Sequence, residues 1–102
     1  MARVVVAESA VADLDRLITM NSLPAGTRDR VRESLRPLAT FPRLGPALVG
    51  PWAGFRFVLG PWAWMLVVYV YDDTADQVGI VAIQDARAAT SATSVQYGSP
   101  SP

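Results

Sequence analysis

The sequence predicts an α+β fold in the order β-α-α-β-β-β: an N-terminal strand, a two-helix hairpin and a three-stranded antiparallel meander. Two patterns carry this. Residues 50–87 hold three apolar runs, at 55–59, 64–71 and 78–83, rich in the Val, Ile, Trp, Tyr and Phe that suit a pleated surface. Gly60-Pro61 and the acidic turn from Asp72 to Asp76 separate them, and connections that short join antiparallel neighbours. Ahead of them, apolar residues recur at helical rather than strand spacing.

In chain order, residues 2–7 form the first strand, centred on Val4, Val5 and Val6. Ser9 is placed to cap the following helix. Ala10, Leu14, Leu17 and Ile18 give that helix, residues 10–20, one apolar face, with Asp13, Asp15 and Arg16 off it. Pro24 suits the first turn of a second helix, which runs from residue 24 or 27 to 38 on a stripe of Val31, Leu35 and Leu38. Pro37 predicts a kink or an early end there. Residues 39–51 read as a loop, 88–93 as room for a helical turn, and 94–102, mostly Ser, Pro and Gly with Val95, Gln96 and a lone Tyr97, as a disordered tail after a single domain of residues 1–93.

The middle strand of the meander has two apolar faces. Trp64, Leu66, Val68 and Val70 point one way, and Met65, Val67, Tyr69 and Tyr71 the other. An antiparallel strand with one wet face alternates, and this one does not. The helix hairpin supplies one cover. The polar sequence that follows supplies no obvious second one, which leaves a partner chain or a central strand in a compact core.

Composition excludes several chemistries. The chain has no Cys and no His, and all nine of its basic residues are Arg. Disulfides, thiolate metal sites, histidine general bases and lysine nucleophiles are therefore absent. The nine acidic residues give a formal net charge of +0, so nucleic acid would be held only through a local basic patch. No apolar run reaches the length of about 18 residues that a membrane span needs. The N-terminal run is broken by Glu8 and Asp13 and lacks a signal peptide's apolar core, so a cytoplasmic protein is expected.

Four groups of residues remain as site candidates. Arg28, Arg32 and Arg36, spaced four apart, line one side of the second helix. They read as a solvated face partly paired with Asp29 and Glu33, or as a basic ridge for phosphates or an acidic partner. Asp72, Asp73 and Asp76 lack the spacing of a calcium loop and read as a polar turn. Trp52, Trp62 and Trp64 read as core or interface anchors before a platform for bases. Arg56, between Phe55 and Phe57, and Arg87, closing the last strand, are able to clamp a phosphate or carboxylate. The sequence contains no P-loop, GxGxxG, HExxH or GxSxG, and no cofactor or metal is expected.

The element order resembles the RelE/ParE superfamily of toxins from type II toxin–antitoxin modules. Short motifs are similar too: Ala10-Val11-Ala12-Asp13-Leu14, the segment from Leu38 to Gly45, Leu48-Val49-Gly50 followed by Gly54-Phe55-Arg56, the tyrosine run ending Tyr69-Val70-Tyr71-Asp72, and Ile83-Gln84-Asp85-Ala86-Arg87. The resemblance implies a growth-inhibiting toxin neutralised by a cognate antitoxin, with the ribosome and its mRNA or DNA gyrase as targets. It implies an antitoxin that folds on binding, with Trp62, Trp64, Met65, Tyr69 and Tyr71 as anchors and Arg28, Arg32 and Arg36 beside them. For the branch that cleaves mRNA it implies Arg56 and Arg87 for transition-state charge and Tyr69 or Tyr71 as a weak acid. The chain departs from that branch. Trp64-Met65-Leu66 stands where a basic residue is usual, no histidine lies near Asp85, and Thr93 falls near the place of a late tyrosine. The reduced set is closer to the ParE branch, which acts on gyrase. Outside the family, the two-sided sheet fits a non-toxic homodimeric interaction module.

A chain ending at Thr93 is expected to melt at the temperature of the full chain, because residues 94–102 are polar and rich in Ser and Pro. A thermal denaturation curve checks this, and a drop of several degrees would mean that the tail packs.

Overall fold

A computed structural model describes residues 1–88 and 91–93. The elements are β1 (Arg3–Val6), α1 (Glu8–Asn21), α2 (Thr27–Ser34), α3 (Pro37–Thr40), a 3-10 turn at Gly50–Trp52, β2 (Arg56–Leu59), β3 (Met65–Asp72) and β4 (Gln77–Asp85). The expected α+β order is present, and β2, β3 and β4 form the antiparallel meander. The sheet order is β1-β4-β3-β2, so β1 returns to the far edge and pairs in parallel with β4. The tail, residues 94–102, lies outside the described residues.

Local chemistry adjusts the helix boundaries. α1 begins at Glu8 with Ala7 in the extended cap position, so Ser9 is not the cap. Its hydroxyl instead donates to the Val81 carbonyl on β4 at 2.9 Å. Pro24 does not start α2. It sits in the turn ahead, where its carbonyl accepts the Thr27 amide and hydroxyl, and Gly26 takes φ 85° before the helix starts. Pro37 ends the second helical run, as its missing N–H requires: α2 stops at Ser34, and Pro37 opens the short α3.

The core has two sides. On one, Ala10, Leu14 and Leu17 of α1 and Val31, Leu35 and Leu38 from the α2–α3 segment pack on Met65, Val67, Tyr69, Val78, Ile80 and Ile83. On the other, Leu66, Val68 and Ala82 are covered by Leu48, Trp52, Phe55 and Ala92. Of the two readings the sequence left open, a partner chain or a central strand in a compact core, the second describes this face. The cover comes from the loop before β2 and from the turn after β4, whose Ala92 amide donates to Gln84 Oε1 at 2.8 Å. No second chain is needed to dry β3. Met65 and Tyr69 are fully buried under the helices and are not surface anchors. Trp64 lies in the turn before β3 and packs toward the helix side, not on the face of Leu66 and Val68.

A β-bulge reconciles β4 with its neighbours. Val68 pairs with Ala82 and Tyr69 with Ile80, leaving Val81 as the extra residue. Val78, Ile80 and Ile83 therefore share the helix face although their spacing is uneven. β1 pairs with β4 only as far as Ile80. Beyond that point α1 substitutes for the missing strand: Ser9 takes the Val81 carbonyl, and Asp13 Oδ2 accepts the Ile83 amide at 3.1 Å.

Asp13→Ala leaves the half-buried Ile83 amide without its acceptor and is expected to cost about 1–3 kcal/mol, while Asp13→Asn, which keeps an acceptor oxygen, should cost less. Urea unfolding of the three proteins checks the order.

Candidate functional site

The residues singled out from the sequence fall into three places. The first is a lock between the loop before β2 and the sheet. Gly45 donates its amide to the Tyr69 hydroxyl at 2.9 Å, and its carbonyl accepts from Arg56 Nη1 at 2.8 Å. A side chain at Gly45 would put Cβ 2.0 Å from the Phe57 carbonyl oxygen, so only glycine lets the loop approach this closely. Arg56 and Tyr69 are cross-strand neighbours in the β2–β3 register. Burial pushes the Tyr69 phenol up, against the smaller lowering effects of the Gly45 amide and the Arg56 charge. A buried, hydrogen-bonded phenol with a raised pKa is a poor proton donor at neutral pH. Next to the lock, the Arg43 guanidinium lies 4.9 Å from the Tyr71 ring centroid and 3.4 Å from Asp73, and the Tyr71 hydroxyl donates to Asp76 at 2.8 Å. That bond to the Asp76 carboxylate raises the Tyr71 pKa.

The second place lies at the other end of β3. Arg87 forms a two-pronged pair with Asp85, at 2.9 Å and 2.7 Å, and its guanidinium lies 4.8 Å from the Trp64 ring. The Arg87 bonds hold the Asp85 carboxyl below its ordinary pKa. Trp64 stacks on Trp62 at 6.2 Å, and Arg30 lies 4.6 Å over Trp62. Asp85 pairs with Met65, whereas Arg56 pairs with Tyr69. Those positions are four residues apart on β3, ~13 Å at the usual strand rise. Arg56 and Tyr69 are thus brought together, and Arg87 is not part of that group.

The third place is a groove between the β1 edge and the helices. Val6, Ala10, Val11, Leu14, Val31, Leu35 and Ile83 floor it, and it continues past Val4 and Ala39 to Met1. Arg28, Arg32 and Arg36 line its rim. Each is also in an exposed ion pair: Arg28 with Asp15, Arg32 with Asp29 and Arg36 with Glu33. The ridge is therefore both a paired, solvated face and the border of an apolar groove. Val6 and Val11 remain 42% and 45% exposed in it.

Sequence reasoning missed Arg30, which lies between the spaced arginines of α2, gave Gly45 and Asp13 no contact role, and gave Ser9 only that of a helix cap. Gly45 stood in a quoted motif, but nothing local marks Arg30 as the residue that reaches Trp62. Among the described residues no group of three or more acidic side chains is placed to hold a metal ion. No helix among them is long and apolar enough to cross a membrane.

No protein-family model matches the chain, and no curated protein matches its sequence. Solved structures do match. The RelBE2 toxin–antitoxin complex of Mycobacterium tuberculosis aligns at a TM-score of 0.64 and 23% identity, over 82% of this chain and 96% of that one. The intact Escherichia coli RelBE toxin–antitoxin complex aligns at 0.61 and 14%, over 86% and 100%. A toxin from Helicobacter pylori aligns at 0.60 and 22%, over 83% and 94%. The fold of this chain is that of the RelE toxins.

Tyr69→Phe should keep the packing, orphan the Gly45 amide and destabilise the protein by about 1–3 kcal/mol, while Gly45→Ala, which forces the loop off Phe57, should cost at least as much. Denaturant midpoints check both, and an unchanged midpoint for Gly45→Ala would mean the loop is not clamped.

Proposed function

We propose that this chain is the toxin component of a type II toxin–antitoxin module, acting in the cytoplasm and neutralised by a cognate antitoxin seated in the groove between β1 and the helices. The observation that carries this is the RelE fold along more than four-fifths of the chain, shared with toxins from three bacteria. The groove supports the docking part. Its floor is apolar, its rim is arginine, and its wall is an edge strand with outward-facing backbone groups. An amphipathic segment with acidic flanks fits all three. Exposed ion pairs such as Arg32–Asp29 contribute about 0–1 kcal/mol, so exchanging them for a partner's carboxylates costs little. The arginine rim also opposes pairing of this face with a second copy of itself.

The resemblance brings two targets, the translating ribosome and DNA gyrase. The nuclease reading draws on Arg56, which makes no ion pair among the described residues and is held by a single bond to Gly45. Arg87 is committed to Asp85, and Tyr69 to the Gly45 amide, so neither suits a shared phosphate site with Arg56.

Induced expression of the chain alone should arrest growth, and co-expression of its gene neighbour should relieve the arrest. Val11→Glu should leave the melting temperature and the arrest unchanged but weaken neutralisation, because it sets a carboxylate in a half-exposed apolar contact. Normal growth with abundant folded chain, and no complex on co-purification with the neighbour's product, would overturn the proposal.

A further inference from the structure

Four side chains from three separate segments make one continuous stack: Arg30 of α2 over Trp62, Trp62 on Trp64, and Arg87 after β4 over Trp64. The stack lies at the end of the sheet away from the Gly45 lock, and neither the fold comparison nor the groove accounts for it. A guanidinium held over an indole by its carbon leaves N–H groups able to donate and loses less rotamer freedom when they are used. At Arg87 they are occupied by Asp85 in a two-pronged pair. At Arg30 no side-chain hydrogen bond or ion pair is made among the described residues, and its guanidinium lies over the Trp62 ring. Six of the other eight arginines pair with an acid. The two ends of the stack are chemically alike, and one already shows what the other lacks: a carboxylate.

We infer that the Arg30–Trp62 end of this stack is a docking point for a carboxylate on an acidic peptide segment of a partner protein, bound in the two-pronged manner in which Asp85 holds Arg87. The stack orders its charge as well as its shape. Each indole already has the other indole and an arginine as ring partners, which favours a ligand that meets the guanidinium over one that stacks on the rings. Among the described residues the stack holds two arginines and Asp85, and of these Arg30 is the cation without an acidic partner, far short of the run of phosphate contacts that nucleic acid needs. A single carboxylate matches the open Arg30 guanidinium, and tryptophan and arginine are the residues enriched at the energetic centres of protein interfaces. The inference concerns a face distinct from the β1 groove and stands whether or not the chain is a toxin.

The full chain would be titrated with a blocked glutamate decamer, and with glutamine and thymidylate decamers for comparison, while indole fluorescence and the Arg30 Nε–H resonance are followed. The glutamate decamer should give a saturable fluorescence change and move the Arg30 resonance, and the glutamine decamer should do neither. Arg30→Lys, which keeps the charge but loses the planar fork, should weaken binding at least ~10-fold, and Arg30→Gln should abolish it. Near-ultraviolet circular dichroism and the melting temperature, both unchanged in Arg30→Gln, would show that the loss is local. No saturable change with the glutamate decamer, equal affinity in Arg30→Gln, or tighter binding of the thymidylate decamer would overturn the inference.

Discussion

The structure depends on how β4 satisfies its backbone once β1 runs out. β4 spans Gln77–Asp85, but its parallel partner ends at Val6, opposite Ile80. Left alone, the next turn of strand would be an open edge buried beneath a helix, and unpaired buried amides and carbonyls are costly. Ser9 and Asp13, four residues apart on one side of α1, close that edge with a hydroxyl and a carboxylate. This fixes the distance and rotation of α1 over the sheet. The bulge at Val81 belongs to the same arrangement, because it returns Ile83 to the helix face where Asp13 meets its amide. With α1 fixed, Ala10, Leu14 and Leu17 fall onto Ile80 and Ile83, and α2 packs behind them. The groove beside β1 is the space left between this pinned helix and the edge strand.

The other side of the sheet is closed by irregular chain, and that closure is held by point contacts rather than by a helix. Leu48, Trp52 and Phe55 cover Leu66 and Val68, with Trp52 and Phe55 in an edge-to-face contact at 5.7 Å. The loop that delivers them is tied down at Gly45, where one residue gives its amide to Tyr69 and its carbonyl to Arg56. Tyr69 thus serves both sides of the fold: its ring sits in the helix-side core, and its hydroxyl anchors the loop. A Tyr in place of Phe at this position is explained by that hydroxyl, since a buried hydroxyl persists where it has a partner.

With neither lysine nor histidine, the chain leaves recognition by positive charge to arginine, and the arginines are placed in distinct ways. Four of those on the helices, Arg16, Arg28, Arg32 and Arg36, are paired with acids one turn away or on the neighbouring helix. Three lie over rings, Arg30, Arg43 and Arg87. Arg56 alone sits inside a strand of the apolar core region, held to a backbone carbonyl.

Much of this was legible in the sequence. The meander, the two helical runs and the break before Pro37 follow from period and turn chemistry, because hydrophobic spacing and the geometry of Pro and Gly act within a few residues. The two apolar faces of β3 were legible as well, and so was the need to cover both. What covers the second face was not, because Leu48, Trp52 and Phe55 sit in a loop with no periodicity, and their meeting with Leu66 and Val68 is a matter of tertiary placement. The same limit explains Met65 and Tyr69, whose strand alternation fixes a face but not whether that face is open. It also explains Ser9, a capping residue by type, turned by the docking of α1 into a partner for β4. The elements, their order and the chemistries the chain lacks follow from local pattern and composition alone. The return of β1 beside β4, the separation of Arg56, opposite the middle of β3, from Arg87, beyond the strand's first residue, and the stack of Arg30 with Trp62, Trp64 and Arg87 came from tertiary folding, since these are contacts between residues far apart in the chain, which no local rule can join.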